Sequence, residues 1–499
     1  MGRERQRPTT PLFLAVVFLL VALVPAAAVL EVPAPILAAV AGVLALIVLA
    51  IRPDVATLAV IAIVYSNAAV VGIRFHGVPF TIAAGSVFVL VVPLGYYLLV
   101  RRQALVIPRA VPWILGYLLI QMLSTLLARD SASAANALGI FVSEGLLLYL
   151  LVVNAVRSQR MVLAAACILI AVAAVLGALT IHQEFTHNLS NDYLGFAQRG
   201  GDSTGLLPGE AFRSRPAGPL DGPNRYAQVL ALVLPLVMAI IWSRYSRLAS
   251  ALAIGSGFVI LIAIALTLSR GAAVGLGLVI LVMVVLRYVP VRSLLFVSLA
   301  VAALLIAVPE YGTRLQSIES VPGIAGEGVE ADGAVRSRIT EMIAAALVFV
   351  DHPLIGVGPD QFPTYYISYA EEFGLRVKQD EREAHNLYVG IASDSGLLGS
   401  IFFFGAIGVT IRDLARTRSR LLVRNPRLAH LAAGFMLALV AYLTTGIFLH
   451  LAMERYLWLI MALGAVVHLI GNRQLADDAV MVDANLDARA PRRSAEMIA

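Results

Sequence analysis

The sequence predicts an all-α protein, a polytopic transmembrane helical bundle of about 14 spans with two long loops on one face. Three observations carry that expectation. Hydrophobic residues fill 60% of the 499 positions and charged residues only 14%, well outside the balance of a soluble domain. Mean hydropathy is +0.87. Apolar runs of about 18 to 22 residues, the length a helix needs to cross a bilayer, recur along the chain.

Taken in order, the runs fall near 12–30, 34–51, 54–73, 80–100, 111–128, 134–156, 161–180, 226–243, 248–268, 271–289, 291–308, 386–411, 429–449 and 453–471. The first follows a basic stretch, "MGRERQRPTT", and resembles a signal peptide in outline, but the many later spans favour a retained helix. With the basic N-terminus inside, roughly 23 basic residues fall on cytoplasmic ends and loops and about four on short outer connections. That bias requires an even number of spans, so both termini are expected in the cytoplasm. The same topology puts 181–225 and 309–385 outside. Residues 1–471 form one transmembrane domain in this reading, and 472–499 a cytoplasmic tail without fixed structure.

The first outer segment is rich in Gly, Pro, Asp and Arg and reads as loop. The second contains "VRSRITEMIAAALVFVDHPLIGVG", where Ile339, Ile343, Ala346 and Leu347 suit the apolar face of an amphipathic helix ended by Pro353 and two glycines. Such a helix can lie along a membrane surface. The single cysteine, Cys167, sits in an apolar run, which excludes an intramolecular disulfide and a cysteine-based metal site. The net charge of +6 is accounted for by topology, so nucleic acid is not an expected partner. There is no internal repeat, heptad pattern or P-loop. The histidines lack metal-ligand spacing, so no metal or other cofactor is expected.

Three residues stand out for chemistry. His385 precedes Asn386 where the outer loop meets an apolar helix, and Asn386 is a good N-cap. The field of a helix N-terminus disfavours imidazolium, so the ring is expected to be neutral and able to accept a proton. The plainer alternative is an interfacial histidine tied to local backbone. Arg270 interrupts nearly continuous hydrocarbon in "LIAIALTLSRGAAVGLGLVILVMVV"; a charge there is costly and is either functional or snorkelling to the headgroups. Arg215 lies on a Pro- and Gly-constrained path with Arg213 and Arg225 nearby, and Asn224 marks the helix start that follows. Guanidinium groups bind phosphate oxygens bidentately and stay charged, although loop arginines are commonly just solvated. Asn224, Asn386 and Arg338 are candidates for supporting roles. Glu144 is an intramembrane carboxylate, either a proton or ion site or the partner of a buried arginine. Asp394, nine residues after His385, is a doubtful direct partner for it. A histidine with two or more arginines at the outer ends of helices makes an anion-binding site beside a possible base.

At this point the chain resembles the O-antigen ligase and polymerase family of bacterial cell-surface polysaccharide assembly. The resemblance rests on "RPAGPLDGPNRYAQ", "TLSRGAAVGLG", and "DHPLIGVGPDQF" followed by "HNLYVGIASDSGLLG", in that order within about residues 215–400. Asp394 stands where the family more often has glutamate. The resemblance implies a membrane glycosyltransferase of GT-C-like fold in the bacterial cytoplasmic membrane, with its active site on the outer, periplasmic face. The donor it implies is a glycan on undecaprenyl diphosphate, and the acceptor a lipid, glycan or protein hydroxyl. It also implies that Arg215 and Arg270 bind the diphosphate, that His385 is catalytic, and that the reaction is metal-independent. Motif spacing leans towards the ligase branch over a polymerase that uses a second lipid-linked glycan. The rival from another class is a flippase for the same lipid, which would be expected to show internal pseudo-symmetry and broken helices near the midplane.

Overall fold

The computed structural model describes residues 52–79, 85, 87–200, 214–220, 222–292, 333–373, 382–449 and 455–487. Within them lie α1 Pro53–Ser66, α2 Ala68–His76, α3 Val91–Val100, α4 Val111–Thr125, α5 Ser131–Ala155, α6 Gln159–Phe185, α7 Pro223–Ser243, α8 Arg247–Leu266 and α9 Arg270–Val285. After these come α10 Gly333–Asp351, α11 Phe362–Glu372, α12 Leu387–Leu421, α13 Pro426–Thr445 and α14 Arg455–Asp487. A short antiparallel ribbon, β1 Gln198–Gly200 with β2 Arg215–Gly218, is the one departure from all-α among the described residues.

Seven of these helices are long and apolar enough to cross a membrane, and the pair α1–α2, bent by 62° at Asn67, is either a broken eighth span or a re-entrant loop. The protein is a multi-pass helical membrane protein. Helices α3, α4 and α9 are apolar but shorter, at 10–17 residues. The count among the described residues is therefore lower than the about 14 spans expected from apolar runs alone. The expected spans at 12–30 and 34–51 lie outside the described residues, as do most of 291–308 and part of 80–100. Of the segment 181–225, expected to be loop, the described residues hold the end of α6, which runs on to Phe185, and the ribbon, while 201–213 and 221 lie outside the described residues. At the other end of the chain α14 continues to Asp487, past the expected limit at 471.

Helix α13 is the axis of the bundle. It packs on α7, α9, α12 and α14, and 78% of its spanning stretch is buried. Small residues permit the close approach that lipid-embedded helices depend on: a Cβ at Gly275 of α9 would meet Thr445 Cγ2 of α13 at 2.4 Å. At the periphery, α8 buries only 28% of its span and leaves Leu248, Leu252, Phe258 and Leu261 exposed along one side. Exposed leucine and phenylalanine are what a lipid-facing helix requires.

Two expectations about polar residues are resolved by the packing. Glu144 lies in a π-helical turn of α5, Phe141–Leu147, and its carboxylate is 3.1 Å from Nε of Arg455, so it pairs with an arginine. Broken helices, which the sequence does not reveal, are present. Helix α12 is interrupted at Gly396, whose φ of 62° and ψ of −166° only glycine adopts readily. The chain from 353 to 358 fills the break. Amides of Val357 and Gly358 donate to the carbonyls of Ser393 and Asp394 at 3.0 and 2.9 Å. Amides of Leu397 and Leu398 donate to the carbonyls of Pro353 and Leu354 at 2.8 and 3.1 Å. Both orphaned edges of the break are thus satisfied by protein backbone, as burial demands.

The contact is backbone on backbone, since a Cβ at Gly396 would lie 2.4 Å from the Leu354 carbonyl carbon. Gly396→Ala is expected to lower stability by about 1–3 kcal/mol, the usual cost of forcing such a backbone conformation. Gly408→Ala, in open space on the same helix, serves as the control and should be neutral or mildly stabilising. Thermal unfolding of both variants in one detergent checks the difference.

Candidate functional site

The site is built where helix ends meet. Asn386 caps α12 as expected: its side-chain oxygen accepts from the amides of Tyr388 and Val389 at 2.8 and 3.2 Å. Its amide nitrogen donates to the Ile447 carbonyl at 2.9 Å, and the Leu387 amide donates to Gly446 at 2.7 Å. The start of α12 is therefore bonded to the chain just past the end of α13. Just before the cap, His385 takes a left-handed φ of 46°, which turns its ring away from the helix it precedes.

The ring is held through one nitrogen. Nδ1 lies 2.8 Å from the Glu383 carbonyl oxygen and 3.1 Å from Oε2 of Glu341. A carbonyl oxygen only accepts, so Nδ1 carries the hydrogen and the neutral ring has its lone pair on Nε2. The His385 side chain is 27% exposed, whereas that of Glu341 is 1% exposed. Burial pushes the imidazole pKa down, but the Glu341 carboxylate beside Nδ1 outweighs it and raises the value above the ordinary 6.5. Arg338, one turn earlier on α10, opposes that rise. The pull of Glu341 on the ring runs opposite to that of the helix field. A buried carboxylate from a distant helix is the stronger influence.

Glu341 was not singled out by sequence, and the reason is geometric. Ile339, Ile343, Ala346 and Leu347 mark the apolar face expected from the sequence; of these, Ile339 is 39% exposed and Ala346 is exposed too, as a face laid on a membrane surface can be. The buried stripe is Glu341, Ala344, Ala345 and Val348, which has the i, i+3, i+4, i+7 spacing of one helix face. Small residues face inward because α10 packs closely on α12 and α11. An acid in register with a small-residue stripe was the available signal.

The arginines arrive by separate routes. Arg270 is the first residue of α9, after Ser269, whose hydroxyl accepts from the Ala272 amide. Its neighbour Gly271 abuts Phe448, where a Cβ would come within 2.8 Å. Arg215 opens β2, pairs with Gly200 and is buried at 8% exposure. From there the chain turns at Pro219, whose carbonyl accepts from Asn67 at 2.8 Å, and enters α7. Asn224 is the second residue of α7 rather than its cap, which is Gly222. Arg225, in the first turn, pairs with the Glu383 carboxylate, and Gln228 donates to Thr445 Oγ1 at 2.7 Å.

The segment 445–448 thus joins three of the sequence motifs. Phe448 meets the residue after Arg270, Ile447 holds the residue after His385, and Thr445 holds the helix that continues from the Arg215 strand. The fourth, 353–358, reaches the site through α12. Asp394 has a different job from the histidine's: its carboxylate oxygens accept from the backbone amides of Asp360 and Phe362 at 3.3 and 3.4 Å, anchoring the entry to α11.

Residues 255–404 match the family model described as O-Antigen ligase. The matched stretch includes Arg270, Glu341, His385 and the Gly396 break, while Arg215 precedes it. No curated protein matches the chain. The bonding of His385 leaves it able to accept a proton, because one ring nitrogen is committed and the other has no hydrogen-bond partner among the described residues.

A pH dependence follows from the ring's surroundings. His385 has a folded pKa above the 6.5 of an unfolded imidazole, so the pair with Glu341 stabilises the fold fully below pH about 6.5. That contribution is lost as pH rises through the folded value. The gap in thermal midpoint between wild type and His385→Asn should therefore be widest in mildly acidic buffer and shrink on the alkaline side.

Proposed function

We propose that the protein transfers a glycan from undecaprenyl diphosphate to an acceptor hydroxyl on the outer face of the bacterial cytoplasmic membrane. The observation that carries this reading is Nε2 of His385, without a hydrogen-bond partner among the described residues because the Glu383 carbonyl holds Nδ1, at the corner where the Arg270 helix also begins and inside the O-antigen ligase match. The reading includes a chain with both termini in the cytoplasm and spans beyond those described, since positive charge is concentrated on one side.

In this mechanism His385 Nε2 takes the proton as the acceptor O–H bond breaks, and the oxygen forms a bond to the anomeric carbon. The bond from that carbon to the diphosphate oxygen breaks, and its electron pair leaves with undecaprenyl diphosphate. Arg215 and Arg270 bind the diphosphate and stabilise its growing charge, which is where fixed cations contribute most. The acceptor is a lipid, protein or second glycan. The ligase reading is favoured over the polymerase by the family description of residues 255–404. For a flippase, Glu144 and the break in α12 were the features of interest. Both are occupied by the protein itself, by Arg455 and by residues 353–358.

The test uses purified protein in nanodiscs, an undecaprenyl-diphosphate-linked oligosaccharide, a panel of acceptors and a chelator throughout. His385→Ala should lose about 10²- to 10⁴-fold in turnover, the range of general-base catalysis. Arg270→Lys should also be damaging, because a point charge does not reproduce the guanidinium fork. A single displacement inverts the anomeric centre, so retention of donor configuration in the product would falsify this mechanism.

A further inference from the structure

We propose that Glu341 is the positioning residue for His385, holding the ring and stabilising the positive charge that forms on it when Nε2 takes a proton. This rests on the transferase reading and adds a residue to it.

The argument begins with what the Glu383 carbonyl leaves undone. It fixes the tautomer, but as a neutral acceptor it does little for a full positive charge. Oε2 of Glu341 lies 3.1 Å from the same nitrogen, and its side chain is 1% exposed. A carboxylate buried to that degree is costly unless its charge is compensated. At a merely structural ion pair, both charges would be permanent. Here one partner of the carboxylate is a histidine at a helix mouth, with its other nitrogen lacking a hydrogen-bond partner among the described residues. The full charge on the ring exists only after proton uptake, so the attraction to Glu341 is strongest in the transition state and afterwards. Interactions that strengthen towards the transition state are those that accelerate a reaction.

The charges around the ring are consistent with this role. On α10, Arg338 opposes protonation and Glu341 favours it. On the histidine's own loop, the Glu383 carboxylate is paired with Arg225 of α7. From the end of α13 the contacts to the neighbouring Asn386 and Leu387 are neutral backbone carbonyls. Glu341 is the acid placed on the ring itself, and it is delivered by α10, a helix separate from the one that His385 precedes.

The experiment compares full-length wild type, Glu341→Gln, Glu341→Asp and His385→Ala in nanodiscs, with an undecaprenyl-diphosphate-linked oligosaccharide and an acceptor that supports wild-type turnover. Glu341→Gln should reduce kcat by about 10- to 100-fold, less than the whole general-base contribution, with KM for the donor nearly unchanged. The acid-side inflection of kcat/KM should move to lower pH, since the base loses its anionic partner. Glu341→Asp keeps the charge, and should fall between the two in both readouts. Nitrogen NMR of histidine-labelled protein, with His385 assigned by its loss in His385→Ala, should show the same downward shift in ring titration without reference to activity. Wild-type kcat and an unmoved inflection in Glu341→Gln, alongside an inactive His385→Ala, would overturn this proposal and leave the transferase reading intact. Full turnover by His385→Ala would overturn both. Should Glu341→Gln fail to fold, an Asp variant with wild-type kcat and inflection overturns the proposal on its own.

Discussion

The clasp between residues 385–387 and 446–447 is the contact on which the site depends. The Leu387 amide and the Asn386 side chain both donate to carbonyls past the end of α13. Two helix termini with unpaired backbone groups, one short of acceptors and one short of donors, satisfy each other there. That exchange fixes where α12 begins, and with it where His385 sits. It also explains why the corner has so little freedom. Asn386 spends its oxygen on its own helix and its nitrogen on the neighbour, so the cap and the interhelical tie are one side chain.

A second backbone exchange holds the other motif in place. The glycines of "HPLIGVG" and "SDSGLLG" are far apart in sequence, yet Gly356 and Gly396 lie against each other's backbone segments. The break in α12 supplies two free carbonyls and two free amides, and the strand-like segment 353–358 supplies the complementary set. This strap follows α10 directly, so the position of α10 over α12 is set by hydrogen bonds as well as by side-chain packing. Glu341 inherits its placement from that arrangement. The composite motif is therefore partly architectural: its glycines permit the docking that brings α10 to the histidine.

Much of the fold was legible because bilayer length and apolar composition leave few alternatives. The spans, the Asn386 cap, Arg270 at a helix start and the helix after residue 333 could all be read from local pattern. What could not be read was either rotational or long-range. The face of α10 that packs on the protein, Ala344, Ala345 and Val348, is made of small residues that carry little apolar signal beside the larger Ile339, Ile343 and Leu347. Helix α11, "FPTYYISYAEE", is short and mixes aromatics with acids, so it gives no clear period; its buried tyrosines form a small cluster with α10. The convergence on 445–448 has no local signature at all, since Gly446, Ile447 and Phe448 look like the unremarked end of an apolar run. Asp394 shows a related limit, because helix spacing argued against a partnership with His385 but gave no hint of its bonds to the backbone at 360 and 362.

The electrostatics of the corner pose a problem that the geometry answers. A site for a diphosphate should be positive, yet two glutamates lie close to His385. Glu383 is neutralised by Arg225, and Glu341 is buried behind the ring on the Nδ1 side, with Nε2 directed away from it. A charge screened by a ring and by packing acts strongly on the group it touches and weakly on an anion beyond it, because field lines in a low-dielectric interior are strongest over the shortest path. The carboxylate can thus raise the basicity of His385 without repelling the donor. Arg270 and Arg215 lie on other elements, at the start of α9 and on β2. In the proposed reaction the group that tunes the base is thus carried by a different helix from the groups that would hold the anion.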